Sequence, residues 1–361
     1  SANLLGTGAE WAHAQPDAAS PPDFSALERA VAASRAGGNS SPMAQLFGTP
    51  TWAAAGPPLG VPRVGLPAGW TAPPRRDAWR AYVRAIATHF KGRIGAYSIW
   101  PEANLSDLWG GTTAQLADMT LDAYREINAV DPAAKVVAAS TGLRQRGWST
   151  WYRSYLVELK KRGWPVDVFA FHGYTASRGT PVTRQGLIAD FKRQLAAVGA
   201  PKRALWDGEV NWGVAGPGPS NPHIRMDRDW RAAAYVARTM LDSLRLGVSR
   251  VYWSAWMPAS PAGVGYGITL YPGTRGAKGL KTTYDWLVGK RWGGCTYAKG
   301  LVTCAVSAGR SVWKIRWSET TAKRVVVTRG YTRVCTLENG CRTMRLGKVV
   351  TITGSPVRMG A

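Results

Sequence analysis

Two glutamates stand at the ends of predicted β-strands, where a side chain can do chemistry. Glu102 follows the apolar run 94–100, and Glu209 closes the run 203–209, each with a tryptophan within three residues. Hydrolysis of a glycosidic bond needs two carboxyl groups, one to protonate the leaving oxygen and one to attack, or activate water at, the anomeric carbon. The pair predicts this reaction, provided that the fold brings both strand ends together.

The elements that must position the two glutamates form a repeating pattern. Short apolar runs cover residues 2–7, 43–49, 94–100, 135–140, 166–172, 203–209 and 250–256, and stretches with helical spacing cover 24–36, 76–90, 113–129, 149–162, 183–197 and 229–246. Such β–α alternation predicts a parallel sheet, either doubly wound or closed into a (β/α)8 barrel. The glycine-rich stretch 213–218 contains prolines and no following GK[ST], so it does not support a P-loop or dinucleotide fold. We therefore expect an α/β protein with a TIM barrel, whose strands all end at one face.

After residue 290 the pattern changes to short alternating runs broken by glycine and asparagine, which predicts a small antiparallel β-domain. The predicted domains are a barrel, 1–289, and a basic β-sandwich-like accessory domain, 290–361. The accessory segment carries 14 Lys/Arg and 2 Asp/Glu, about half of the formal net charge of +24. These basic residues fit the solvated face of a half-buried sheet, and they also fit contact with an anionic glycan or a cell surface.

All four cysteines lie in the accessory segment. Their short separations favour two local disulfides, Cys295–Cys304 and Cys335–Cys341, although other pairings stay open. A zinc site is the rival, but no CxxC spacing occurs and the four histidines lie elsewhere. Disulfides are typical of exported proteins, so we expect a secreted or cell-wall-associated chain whose signal peptide has been removed.

Composition narrows the function class. The chain has 361 residues, is 45% hydrophobic and contains 18 Trp against 13 Tyr and 6 Phe. No run approaches the roughly 20 apolar residues of a membrane span, and the composition is globular. Indole rings stack on sugar faces, so the tryptophan excess favours a carbohydrate site, although tryptophan is also a large core residue.

Six segments carry a family resemblance: GTPTWA (48–53), YSIWPEANL (97–105), AVDPAAKVV (129–137), FHGY (171–174), WDGE (206–209) and YWSAW (252–256). In these segments the chain resembles the retaining glycoside hydrolases of the large TIM-barrel clan. It is most similar to the β-xylosidase/iduronidase-like family 39 and its actinobacterial relatives. The likeness spans nearly the whole barrel, and the β-domain resembles the accessory domain of these enzymes.

The resemblance implies roles for individual residues. Glu102 would be the acid/base and Glu209 the nucleophile, with His172 and Tyr174 lining the sugar subsite and Tyr174 orienting the nucleophile. Further substrate contacts are expected from Trp11, Trp52, Trp100, Asn104, Asn211, Trp253 and Trp256. Because residues three apart in a strand face opposite sides, at most one of the last two tryptophans would touch the sugar. No metal or organic cofactor is expected.

The chain departs from the family pattern in two ways. Pro101 stands where the family usually has an asparagine that hydrogen-bonds the sugar 2-hydroxyl. Either the substrate lacks the usual 2-hydroxyl arrangement, or another residue makes this contact, with Asn104 and Asn211 as candidates. In addition, Glu102 follows the third visible strand and not the fourth. We therefore expect the first barrel strand to be missing upstream of Ser1 or to be atypical.

The leading hypothesis is a secreted retaining glycosidase that acts on a microbial envelope, exopolysaccharide or plant-type glycan. The alternative is a catalytically inactive barrel that binds carbohydrate. Pro101, in place of the usual asparagine, is the feature that supports this alternative. Nucleic-acid binding is supported only by the net charge, and no basic helix, RNP-like strand or zinc-finger spacing accompanies it. The expected partner is therefore an oligo- or polysaccharide, with no nucleic acid and no membrane span.

Overall fold

The computed structural model describes residues 3–4, 6–57, 66–255 and 265–360. It divides into two compact units. The first unit contains Ser1–Gly173, Leu187–Val210 and Ser249–Tyr252, and the second unit contains Tyr174–Gly186, Asn211–Val248 and Trp253–Ala361.

The first part of the chain alternates helices and strands as the sequence predicts. Its helices are α1 (Trp11–Ala14), α2 (Ser25–Ala36), α3 (Arg76–His89), α4 (Thr113–Val130), α5 (Trp148–Lys161) and α6 (Pro181–Ala197). Its strands are β1 (Met43–Leu46), β2 (Ala96–Ile99), β3 (Lys135–Val137), β4 (Val168–His172), β5 (Ala204–Val210) and β6 (Arg250–Trp253). The six strands form one sheet in chain order, and the pairings from β1 through β5 are parallel. This is the predicted curled parallel sheet of a TIM barrel.

The start of the barrel is irregular. In place of a full strand in the run 2–7, the described residues show a parallel bridge between Asn3 and Met43 and another between Glu10 and Phe47. Residues 1, 2 and 5 lie outside the described residues. Glu102 therefore follows the second regular strand of the sheet, in line with the expectation of an atypical first strand.

One apolar cluster fills the inside of the curled sheet. It takes at least one residue from every strand: Met43, Ala96, Val137, Val168, Ala170, Trp206 and Tyr252, all buried. Because only the inner side of a curled sheet can bring residues of all six strands into one cluster, these residues identify the inward-facing positions. A side chain near the end of a strand can reach the mouth of the barrel only if its position faces inward.

The second unit combines two helices with an antiparallel β-domain. The helices are α7 (Trp230–Arg245) and α8 (Arg275–Leu287). The strands are β7 (Arg291–Ala298), β8 (Leu301–Ala308), β9 (Ser311–Ser318), β10 (Lys323–Val326), β11 (Arg333–Thr336), β12 (Gly340–Thr343), β13 (Val349–Ile352) and β14 (Val357–Gly360). One sheet has the order β12-β11-β14-β9-β8-β7, and β10 pairs with β13. The antiparallel C-terminal domain is therefore confirmed, whereas α8, β7, β12 and β14 were not anticipated.

The helices of the second unit share a core with the β-domain. Ala233, Leu241 and Trp286 pack with residues of β8 and β9, among them Cys304 and Ile315. The change in secondary structure thus falls between α8 and β7, close to the predicted boundary at 289/290, while the compact unit takes in both sides of it.

Two disulfides hold adjacent strands of the domain. Cys295 pairs with Cys304 between β7 and β8, and Cys335 pairs with Cys341 between β11 and β12. Both predicted pairings are confirmed. Within the described part of the chain, no helix is long and apolar enough to cross a membrane.

Candidate active site

A β-bulge turns Glu209 toward the inside of the barrel. Trp206 faces inward, so strict alternation along β5 would place Glu209, three residues later, on the outside. The pairing of β4 with β5 instead shifts: Phe171 is opposite Asp207, and His172 is opposite Glu209. Gly208 is thereby left out of the register, which resets the alternation. Glu209 consequently shares the inward side with His172, as is common for bulges beside active sites.

Glu102 reaches the same place through a strained turn. After β2 the backbone has φ 62° at Trp100 and 40° at Glu102, a region that residues other than glycine rarely adopt. Ser140, just beyond β3, holds this turn. Its hydroxyl accepts a hydrogen bond from the Glu102 N–H at 3.1 Å, and its carbonyl accepts one from Ala103 at 3.2 Å.

His172 lies between the two carboxylates. Its Nδ1 is 3.3 Å from Glu102 Oε1 and 3.7 Å from Glu209 Oε2. The two oxygens are therefore separated by no more than the sum of these distances, about 7 Å. Its Nε2 is 2.9 Å from the Ser140 hydroxyl, which fixes the plane of the ring. The two predicted catalytic glutamates thus meet at one buried imidazole.

The imidazole is cationic at neutral pH. Burial works against its charge and lowers the pKa, but the attraction of Glu209, the hydrogen bond to Glu102 and the charge of Asp207 together raise the pKa of His172 to about 9. Both ring nitrogens therefore carry a proton at pH 7, and Nε2–H donates to Ser140. A single positive charge faces two carboxylates whose side chains remain 18% and 11% exposed.

Gln45 is a site residue that the sequence analysis missed. It lies on β1 with 1% of its surface exposed, and its Nε2 donates to Glu209 Oε1 at 3.1 Å. It stands two residues after the inward-facing Met43, so the period of the strand could have indicated that it points into the barrel. Its amide bonds one carboxylate oxygen of the predicted nucleophile, Oε1, while the contact of His172 is with the other, Oε2.

The other predicted amides are engaged elsewhere. Asn104 accepts a hydrogen bond from the Gly142 N–H at 2.9 Å. Asn211 is 1% exposed, donates to the carbonyls of Ser254 and Ile268, and accepts from two backbone N–H groups. With all four positions of its amide occupied, Asn211 cannot take over the role of the missing asparagine; the expectation for this residue is corrected.

Two predicted tryptophans lie in the core. Trp11 and Trp100 have no exposed surface, and their indole N–H groups donate to Gln15 and to the Leu108 carbonyl. Neither exposes a ring face, so neither can stack on a sugar as expected. Trp52 is half-buried, with its indole N–H bonded to the Gln15 carbonyl.

The remaining predicted contacts belong to the second unit. Tyr174 packs with Val214 and Tyr266 in a small buried cluster. Trp253 is partly buried and packs against the cluster that contains Trp212. Trp256, the other member, lies outside the described residues.

No group of three His, Cys, Asp or Glu residues in the described segments is arranged to hold a metal ion. The assembled chemistry consists of two carboxylates, an imidazolium and a supporting amide. Such a set can transfer a proton and form a covalent bond at an adjacent electrophilic carbon.

The chain resembles known proteins in its fold and not in its sequence. No protein-family model matches the chain, and no curated protein matches it by sequence. Among solved structures, the chain is similar to a family 39 glycoside hydrolase from Bacteroides cellulosilyticus WH2, with 15% identity, a TM-score of 0.70, and coverage of 98% of this chain and 74% of that one.

Two further solved structures are also similar to the chain in fold. A monomeric β-xylosidase from Caulobacter crescentus CB15 is 16% identical with a TM-score of 0.64, over 94% of this chain and 84% of that one. A glucosidase from Croceicoccus marinus is 14% identical with a TM-score of 0.62, over 96% and 83%. The chain therefore has the TIM-barrel fold of family 39 and related glycoside hydrolases, as its sequence motifs indicate.

Proposed function

We propose that this protein is a retaining glycoside hydrolase in which Glu102 is the acid/base and Glu209 the nucleophile. The observation that carries the proposal is the contact of one buried imidazole nitrogen with both carboxylates, at 3.3 and 3.7 Å. The glycoside hydrolase fold of the solved neighbours supports it.

In the first step, Glu209 attacks the anomeric carbon and the glycosidic C–O bond breaks. Glu102 gives its proton to the departing oxygen, which leaves as an alcohol. In the second step, water attacks the same carbon, Glu102 takes a proton from that water, and the bond to Glu209 breaks. Both carboxyl groups return to their starting states.

The position of His172 suits this movement of charge. Before the first step the negative charge of the pair is on Glu209, and after it on Glu102. Because Nδ1 is within 4 Å of both carboxylates, one imidazolium stabilises the charge at either place without moving. Such preorganised stabilisation, in a site shielded from water, is a large contributor to enzymatic rate enhancement.

The carboxylate spacing favours retention. Retaining enzymes hold the two groups about 5–5.5 Å apart, and inverting enzymes about 6.5–9.5 Å apart, to leave room for a water. The limit of about 7 Å on the distance from Glu102 Oε1 to Glu209 Oε2 supports the closer, retaining arrangement.

The test is hydrolysis of aryl β-glycosides, beginning with xyloside and glucoside, by wild type, Glu102→Ala and Glu209→Gln. Glu28→Gln, at a surface ion pair, is the control. We expect Glu209→Gln to lose nearly all turnover. Glu102→Ala should retain activity on substrates with acidic leaving groups and should regain rate with added azide. Full activity of Glu209→Gln would overturn the assignment.

A carbohydrate-binding barrel without catalysis is the second candidate, because Pro101 replaces the usual asparagine. It predicts glycan binding by wild type and Glu209→Gln alike, with no hydrolysis by either. The same assay therefore separates the two functions.

The natural substrate proposed is a microbial envelope or exopolysaccharide glycan, with plant-type glycans next. Two disulfides support a secreted or cell-wall location. The positive charge of the β-domain supports contact with an anionic glycan or a cell surface.

A further inference from the structure

The positive charge of the β-domain lacks internal compensation. Segment 290–361 contains only two carboxylates, Glu319 and Glu338. Glu319 pairs with Arg238 and Arg245 of α7, and Glu338 pairs with Arg275 of α8. Both are thus occupied by cations from outside the segment.

Two of the uncompensated cations lie together on one face of the sheet. Lys314 and Arg316 are two residues apart on β9, so they share a face, opposite to the one through which Ile315 enters the helix-facing core. We call the Lys314 side the Lys314 face. On β14, Met359 is opposite Lys314 and Val357 is opposite Arg316, and both are buried in a second apolar cluster, so the accessible part of this face lies toward β8. Lys314 Nζ lies 4.6 Å from the centre of the Tyr331 ring, and the Arg316 guanidinium lies 5.9 Å from it. One aromatic ring therefore holds both cations.

The Arg316 guanidinium has more N–H donors than its surroundings have acceptors for them. Among the described residues its hydrogen-bond partner is the thioether sulfur of Met359, a weak acceptor, at 3.2 Å. Its Nε–H is buried without a partner in the same part of the chain. Partial burial also lowers its pKa, as expected for a cation that has lost water and gained no carboxylate.

On the β8 side of the two cations the surface carries small side chains. Across the strand pairing, Lys314 is opposite Ala305 and Arg316 is opposite Thr303 on β8. One strand further, Thr296 of β7 is opposite Thr303. These side chains are small and at least partly exposed, and the threonines can hydrogen-bond a sugar hydroxyl. The Lys314 face thus places two adjacent cations beside two threonine hydroxyls that are at least partly exposed.

We propose that Lys314 and Arg316, held against Tyr331, form a binding site for the carboxylate groups of an acidic polysaccharide. A carboxylate supplies acceptor oxygens for the Lys314 ammonium and for an Nη of Arg316, and it neutralises a pair of like charges that the domain leaves unpaired. The neighbouring sugar ring would rest on the Thr303–Ala305 side. The choice of a glycan as ligand rests on the proposed carbohydrate function, whereas the preference for an anion rests on the geometry alone.

The test uses the full chain carrying Glu209→Gln, so that turnover cannot affect binding. Calorimetric titration with tetragalacturonate would be compared with the uncharged tetrasaccharide of galactose. Lys314→Gln/Arg316→Gln removes the two cations, and Arg329→Gln/Lys348→Gln removes an equal charge from exposed positions of the same domain. We expect the first pair to weaken tetragalacturonate binding roughly tenfold or more and the second by less than about threefold.

Equal losses in both double variants would overturn the proposal, because they would show a diffuse effect of net charge. Equal binding of the uncharged tetrasaccharide would overturn it as well. Tyr331→Phe keeps the ring and should bind like the parent protein, which distinguishes this site from a collapsed domain. Since all variants lack turnover, failure of the hydrolysis assay described above leaves these outcomes unaffected.

Discussion

Gln45 donates a hydrogen bond of 3.1 Å to Glu209 from a strand that is distant from Glu209 along the chain. The bond is charge-assisted and buried, so it fixes one carboxylate oxygen of the proposed nucleophile. It also identifies Gln45 as a positioning residue.

Gln45→Ala should lower kcat by roughly 10–100-fold, since a hydrogen bond to a charged group is worth about 1.5–3 kcal/mol. Gln45→Glu should lower it further, because it places a like charge against Glu209. Steady-state kinetics on an aryl glycoside, together with a melting curve, would check this. Unchanged kcat in Gln45→Ala would mean that the bond has no role in the reaction.

The cationic state of His172 predicts how stability depends on pH. Its pKa is about 9 in the folded protein, above the value of about 6.5 for an unperturbed histidine. The resulting stabilisation, on the order of 3 kcal/mol, is complete below pH 6.5 and is lost as the pH rises through 9. Urea unfolding at pH 6 and pH 9.5 should show this loss in wild type and only a remnant in His172→Asn. Parallel pH profiles for the two proteins would contradict a cationic His172.

Gly142 offers a way to move Glu102 without touching its chemistry. A Cβ added at Gly142 would lie 2.7 Å from Glu102 Oε1, so the flexible carboxylate must shift. Gly142→Ala should therefore cut kcat roughly tenfold or more while the melting temperature changes little. Gly186→Ala is the matched control, because an added Cβ there meets nothing within 4 Å. A large fall in melting temperature for Gly142→Ala alone would instead point to a backbone clash.

Two helical ion pairs with the same spacing should differ in strength. Arg238–Asp242 is buried, with side chains 3% and 2% exposed, whereas Lys281–Asp285 is solvent-exposed. Asp242→Ala removes the nearer carboxylate from a buried guanidinium and leaves it only the longer contact with Glu319, at 3.5 Å, so it should cost up to about 3–5 kcal/mol of unfolding free energy. Asp285→Ala should cost about 0–1 kcal/mol. Chemical denaturation of both variants measures the difference, and similar costs would contradict the burial of Arg238.

Features that depend on local periodicity were predictable from the order of residues along the chain. The β–α alternation, the positions of Glu102 and Glu209 at strand ends and the pairing of near-neighbour cysteines were all predictable. Each follows from spacing along the chain: helical and strand periods set the elements, parallel strands end at one face, and short loops close local disulfides.

How these parts meet depends on contacts between segments that are far apart in the chain. The bulge at Gly208, which turns Glu209 inward, breaks the period of two on which strand prediction depends. The burial of Trp11 against Tyr82 and the contact of Gln45 with Glu209 join residues far apart in the chain, where no periodicity operates. The charge of His172 depends in turn on both carboxylates being close, so it follows from packing and not from residue type.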